Sequence, residues 1–205
     1  MNPRALAFCA ANAAWNGVAG RVRALASDAL DAAELRRDYD AVLANPPFVP
    51  RPSGESTALY SDGGFAGDAV LARVLAAAPS RLRPGGAVVC VALVADALVD
   101  GGALAPRALA AAVAGTADVV RGRPTRARDY AGRVGHLTAA HAAAFAPNLE
   151  ARGIDTLAQA LFFLRSGGGE CVDHPRPGPD GDDLWADAAK LAALRAEYEA
   201  RWRGR

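Results

Sequence analysis

Asp38-Tyr39-Asp40-Ala41-Val42-Leu43-Ala44-Asn45-Pro46-Pro47-Phe48 is the stretch that decides the fold. Tyr39 to Ala44 is short, apolar and β-permissive, and it runs into two prolines, so it reads as a buried parallel strand that stops abruptly. Pro46 and Pro47 lack an N–H and fix φ, which ends strand and helix alike and pushes Asn45 into an extended conformation. An amide side chain, two carbonyls with no adjacent N–H and an aromatic ring are thereby gathered at the carboxyl end of a strand, the edge where open α/β sheets bind ligands. The Asn45 carboxamide oxygen and the bare Pro46 carbonyl can accept both hydrogens of a planar –NH2 group, while Phe48 stacks on its face. The plainer alternative is that Asn-Pro-Pro only ends a strand.

The surrounding chain bounds the rest. A length of 205 residues suits one domain with a real core. The apolar fraction is 52%, much of it alanine, with aromatics at only 6%, and Lys190 is the only lysine. A net charge of +1 argues against binding that rests on global attraction to phosphate. Cys9, Cys90 and Cys171 are odd in number, widely spaced and without partners at metal-ligand spacing, so no metal site is expected and a reduced, cytoplasmic chain fits best. The sequence shows neither an apolar run of about 18 residues nor a basic-then-apolar leader, so neither a membrane span nor a signal peptide is expected.

In chain order, Pro3 to Trp15 is expected to be helical, with Leu6, Ala10, Ala13 and Ala14 on one face and Asn16-Gly17 as its end. A short strand over Val22–Ala26 and a brief helix over Asp31–Arg37 precede the central strand. Val49 to Phe65 is a polar Pro/Gly-containing loop, a candidate substrate lid. Asp68 to Leu82 is an amphipathic helix, Pro84-Gly85-Gly86 a turn, and Ala87 to Ala95 a strand buried on both faces. Cys90 within it reads as a small core residue. Pro106–Ala114 is a helix, Ala117–Arg121 a strand, and His136–Arg152 a helix broken at Pro147. Leu157–Arg165 is a strand pairing antiparallel with both Ala117–Arg121 and Ala87–Ala95. The run from Arg121 to Arg133 concentrates arginine, and reads either as a solvated face or as a contact for phosphate or an acidic partner. His136 and His141 do not share a helix face and read as surface residues. Cys171–Asp173 could add a hairpin strand, and 175–205 is expected to be a mobile linker followed by a charged helix, Asp183–Trp202.

Asn-Pro-Pro-Phe after a strand resembles the motif of class I S-adenosylmethionine-dependent methyltransferases that modify planar nitrogens, among them release-factor glutamine methyltransferases. Asn2-Pro3-Arg4-Ala5-Leu6 through Asn12 and Asn16-Gly17 resembles that family's segment after its ribose-binding acid, and Ser27-Asp28-Ala29-Leu30 its adenine-binding turn. Asp62-Gly63-Gly64, Gly67 and Leu82-Arg83-Pro84-Gly85-Gly86 resemble the run into its fifth strand. The resemblance implies a Rossmann-like α/β fold in a single domain over 1–205, with S-adenosyl-L-methionine as cofactor. It implies cofactor contacts from Asn2, Asp28, Ala29 and Asn45, and catalytic roles for Asn45, Pro46, Pro47 and Phe48. By the same resemblance, the family's first strand, glycine-rich loop and most of its second strand would fall before Met1, so the domain reads as partial. A misplaced start, a fragment or a second chain supplying that half are the alternatives, and weak or absent cofactor binding by these residues alone is the expectation.

Methyl transfer from a sulfonium needs little acid–base help, because the leaving thioether is neutral. What the protein must do is align the acceptor nitrogen and favour its positive, rehybridised form, which acceptors at Asn45 and Pro46 would do. A protein glutamine amide is the expected acceptor. A nucleic-acid base, requiring flipping or a single strand, or a small metabolite, is the alternative within the same chemistry, and near-neutral charge weighs against nucleic acid. A cofactor-less remnant that acts as a binding partner is the alternative of another class. The sequence leaves the oligomeric state open.

Overall fold

The computed structural model describes residues 2–51, 62–64, 66–99, 102–131, 139–167 and 196. Helix α1 is Pro3–Trp15, strand β1 Tyr39–Ala44, α2 Ala69–Ala77, β2 Leu82–Ala95 and α3 Asp96–Val99. Then come α4 Pro106–Val113, β3 Gly115–Arg121, β4 Thr125–Arg126, α5 Ala127–Ala131, α6 Ala139–Glu150 and β5 Thr156–Ser166. The strands form one sheet in the order β1-β2-β5-β3, with β4 also on β5. β1 and β2 are parallel, and β5 lies antiparallel between β2 and β3, from Ala87 against Arg165 to Ala95 against Leu157. This is the Rossmann-like α/β sheet expected from the sequence, with all four principal strands in place.

The core follows from strand β2, whose alternate residues turn to opposite faces, one buried at Val88, Cys90, Ala92 and Val94, the other buried at Ala87, Leu93 and Ala95 and half-buried at Val89 and Val91. Val88, Cys90 and Val94 face one cluster with Leu71, Leu75, Leu109, Val119 and Phe162, while Leu93 and Ala95 face another with Phe145, Leu149 and Leu157. Helices α2 and α4 cover the first face and α6 the second. Burial pushes the Cys90 thiol up to about 12, which fits a core residue with no ionised neighbour to favour the thiolate.

Several expectations are corrected. β1 is parallel to β2, but only Val42 of it is buried and Leu43 is 76% exposed, because β2 is its only strand neighbour among the described residues. Val22–Ala26 forms no strand: no ladder partner lies beside it among the described residues, and an extended segment without one gains nothing from strand geometry. Asp31–Arg37 forms isolated turns and no helix: the Leu35 N–H donates to the Ala32 carbonyl at 3.2 Å as a single turn, and Arg81 donates to the Leu30 and Leu35 carbonyls. Pro84-Gly85-Gly86 lies within β2 as an irregularity, with the register passing from Tyr39–Leu82 to Ala41–Ala87. The amphipathic helix ends at Ala77, and Ala78–Arg81, containing Pro79, tightens into a 3-10 turn. Helix α6 passes through Pro147 without ending there. The expected face of α1 is not covered: of Leu6, Ala10, Ala13 and Ala14 only Ala13 is buried. Its end is as expected, with Gly17 at φ 68° and the Val18 N–H donating to the Ala13 carbonyl at 2.8 Å. His136, the segment 52–61, Cys171–Asp173 and Asp183–Trp202 as a helix lie outside the described residues.

Arg121 is also not the surface residue that the basic run suggested. Its Nη1 meets Asp96 Oδ1 at 3.2 Å with both side chains about as buried as the core, at 6% and 7% exposure. The Thr156 hydroxyl donates to Asp96 Oδ2 at 3.4 Å, so the ends of β2, β3 and β5 meet in one polar cluster. No described helix is long and apolar enough to cross a membrane.

Two outcomes follow from this packing. Removing one charge of a buried pair strands the other, so Asp96→Ala is expected to cost about 3–5 kcal/mol in urea unfolding, and Asp96→Leu/Arg121→Met to recover much of that loss. Iodoacetamide on the native protein, mapped by peptide mass spectrometry, is expected to label exposed Cys9 and to spare Cys90.

Candidate active site

β1 delivers Asn45 to the carboxyl edge of the sheet and the prolines then turn the chain sharply. Asn45 is exposed and its carboxamide makes no hydrogen bond to another described residue, whereas Pro46 is buried and Pro47 half-buried. Phe48 is half-buried and packs against both core clusters, so its ring anchors the turn to the body of the fold.

The backbone after the motif is clasped by the segment that follows. Val49 bridges Asp62 in parallel fashion, the Gly63 N–H donates to the Val49 carbonyl at 3.0 Å and the Arg51 N–H to the Gly64 carbonyl at 2.7 Å. Asp62, its side chain only 11% exposed, accepts from the Gly64 N–H at 2.8 Å and pairs with Arg51 at 3.3 Å. The glycines are needed for this approach. A Cβ on Gly63 would fall 2.7 Å from the Phe48 Cα, and one on Gly67, at φ +87°, would fall 2.5 Å from the Phe48 oxygen. The loop expected as a lid therefore has both its ends bound to the motif backbone.

Across the same cavity stands the turn from Ser27 to Ala32. The Ser27 hydroxyl donates to the Ala29 carbonyl at 3.0 Å and accepts from the Ala32 N–H at 2.9 Å. Ala29 sits in the left-handed region at φ 53°, unusual for a residue with a side chain. Arg73 of α2 reaches Asp28 at 3.1 Å and Asp31 at 2.7 Å. Hydrogen bonds to Asp28 and then Asp31 hold the Arg73 guanidinium above its ordinary value.

A cavity of about 490 Å³ unites these parts, lined by Asp28, Ala29 and Leu30 on one side and Asn45, Pro46 and Pro47 on another, with Val42, Asp62, Val70 and Val74 completing it. It brings together Asp28, Ala29, Asn45, Pro46 and Pro47 of the expected site. Phe48 lies behind its lining, and Asn2 lies apart from it, its side-chain oxygen capping α1 by accepting the Arg4 N–H at 3.1 Å. Asp62, Val70 and Val74 line the cavity without having been expected as site residues: Asp62 belongs to the Asp-Gly-Gly motif, and the two valines lie on the helix read only as amphipathic.

The lining fits the adenosyl part of the expected cofactor. A carboxylate beside apolar Leu30, Val42, Val70 and Val74 matches a flat base with a donating amine on its edge. A second cavity, of about 330 Å³, is lined by Arg126 and Arg128 together with Glu150, Asp155 and Thr156, so this part of the basic run shares its surface with acids and presents no single-sign patch.

Residues 1–97 match the model of the methyltransferase small domain. The chain is 34% identical over 96 residues to the release factor glutamine methyltransferase of Bordetella pertussis (strain Tohama I), a match covering 43% of this chain and 35% of that protein. The chain thus spans about a third of the length of the curated relative it matches. Among solved structures, the [4+2]-cyclase SpnF is similar at a TM-score of 0.39 and 16% identity, covering 82% of this chain and 65% of that one. Geranyl diphosphate methyltransferase in complex with SAM is similar at a TM-score of 0.41 and 15% identity, covering 80% and 65%. The match to the methyltransferase small domain spans every residue that lines the larger cavity, from Asp28 to Val74.

Proposed function

We propose that this protein is an S-adenosylmethionine-dependent N-methyltransferase acting on a planar nitrogen, and that the acceptor is a protein glutamine amide. The observation that carries this reading is the larger cavity, in which an adenine-compatible turn and an unoccupied amide acceptor at a proline-fixed strand end face one space. The similarity to a release factor glutamine methyltransferase supports the choice of acceptor.

The chain's own residues have separable tasks. Asp28 and the apolar walls hold the base of the cofactor, which when bound supplies the activated methyl group. The Asn45 carboxamide oxygen and the Pro46 carbonyl accept from the acceptor's N–H groups. A delocalised amide nitrogen resists attack, and these contacts strengthen as it becomes positive, so they favour the transition state over the ground state. No side chain need remove a proton before methyl transfer. Phe48 and the Gly63–Gly67 clasp keep the Asn45–Pro47 turn from yielding when the acceptor binds.

Asn45→Ala deletes the side-chain acceptor but leaves the proline-fixed turn. On a glutamine-bearing peptide, single-turnover methyl transfer is expected to fall by about 10²–10³, the usual loss for one transition-state hydrogen bond. Cofactor affinity, measured alongside by titration, is expected to fall far less. Asn45→Asp keeps an acceptor oxygen and is expected to be milder. An Asn45→Ala protein within about threefold of the parent rate would remove Asn45 from the reaction, and transfer to a nucleoside but to no peptide would replace the proposed acceptor.

A further inference from the structure

We infer that Arg73 is a positioning residue for adenine recognition, holding the Asp28 carboxylate in the orientation that accepts the base's exocyclic amine. This rests on the cofactor reading above and extends it to a residue outside the cavity lining.

Arg73 lies on α2 three residues after Val70, so it flanks the helix stripe of Val70 and Val74 that walls the cavity. The helix is itself fixed, because Leu71, Val74 and Leu75 are buried in the core. Its guanidinium reaches two carboxylates at once, Asp28 Oδ2 at 3.1 Å and Asp31 Oδ2 at 2.7 Å. One oxygen of Asp28 is thus engaged, and the carboxylate keeps a second for another donor. The backbone carrying Asp28 is pinned independently. Arg81 donates to the Leu30 and Leu35 carbonyls at 2.9 Å each, and Ser27 ties Ala29 to Ala32. With the main chain held by Arg81 and Ser27, what Arg73 contributes is the orientation of the side chain. A carboxylate this exposed would otherwise sample several rotamers and lose entropy on meeting a ligand.

The inference has a signature that a merely structural role lacks. Adenine presents a donating amine to Asp28; hypoxanthine presents a carbonyl at that position and gains nothing from an aimed carboxylate. Loss of Arg73 should therefore weaken binding of the adenine compound and leave the hypoxanthine compound unchanged. An exposed ion pair contributes little, so the expected change is about two- to fivefold.

The test is binding of S-adenosyl-L-homocysteine and S-inosyl-L-homocysteine to the whole chain, by ligand-observed NMR titration that reaches millimolar affinities. The wild type should prefer the adenosyl compound, Arg73→Ala should reduce that preference two- to fivefold through the adenosyl compound alone, and Arg73→Lys should restore most of it. Molar salt should bring the wild type toward Arg73→Ala, since an exposed pair is screened. Equal weakening of both compounds, no change in either, or a raised preference in Arg73→Ala would overturn the inference. A wild type that binds both compounds equally removes Asp28 as the reader of the base while leaving the cofactor reading in place. One that binds neither overturns this inference for the chain.

Discussion

The ladder between β2 and β5 is what the rest of the structure depends on. Nine consecutive pairs, Ala87–Arg165 through Ala95–Leu157, join the two strands, and β1 and β3 attach on their outer sides. An antiparallel ladder of this length satisfies the backbone groups of residues that water cannot reach, which is why Val88, Cys90, Val94, Ala160, Phe162 and Leu164 can be buried as fully as they are. The same ladder sets the position of the site. Because β5 starts opposite the end of β2, Thr156 lies beside Asp96 and Arg121, and the carboxyl edge carries a buried charge pair between the ends of β2 and β3.

β1 contrasts with that interior. It has a neighbour on one side only among the described residues, and Leu43 stands 76% exposed on it. Among the described residues the other large exposed apolar side chains, Phe8, Trp15 and Val22, fall in the part of the chain before β1, with Trp15 at 90%. An open strand edge flanked by apolar side chains is a place where other polypeptide can pair. The turn at Asn45 does not depend on that edge for its shape. It is held from the β2 side by Phe48 in the two core clusters and by the glycine clasp, so its geometry derives from the half of the sheet that is fully paired.

Much of this was legible in the sequence, for reasons that differ by element. Ala87–Ala95 and Leu157–Arg165 are long, largely apolar runs that read as strands, and the proline pair marks the end of β1 without ambiguity. Val22–Ala26 and Asp31–Arg37 were misread because local pattern cannot tell whether a ladder partner exists or whether a single turn will propagate. Arg121 was misread for a related reason: its neighbours in sequence are arginines, but its neighbour in space is Asp96. At the site, Asn45, Pro46, Pro47, Asp28 and Ala29 are motif residues and share the cavity, whereas Asn2 is occupied as a helix cap. Arg73 carried no signal at all, since a lone arginine on an amphipathic helix reads as solvated surface.

Those omissions have a common physical form. Motif residues touch the ligand space and are recognisable because their chemistry is constrained by it; the residues that hold them are constrained only by reach. Arg73, Arg81, Gly63 and Gly67 act on Asp28, Leu30 and Phe48 from between 15 and 51 positions away in the sequence. The two glycines differ from the two arginines in what they tolerate. A Cβ at Gly63 or Gly67 collides with main-chain atoms that no rotamer change can move, so the clasp admits one residue type. The arginine ties end on carbonyls and exposed carboxylates that water can serve when the guanidinium is lost, so they tune the site's order without deciding whether it forms.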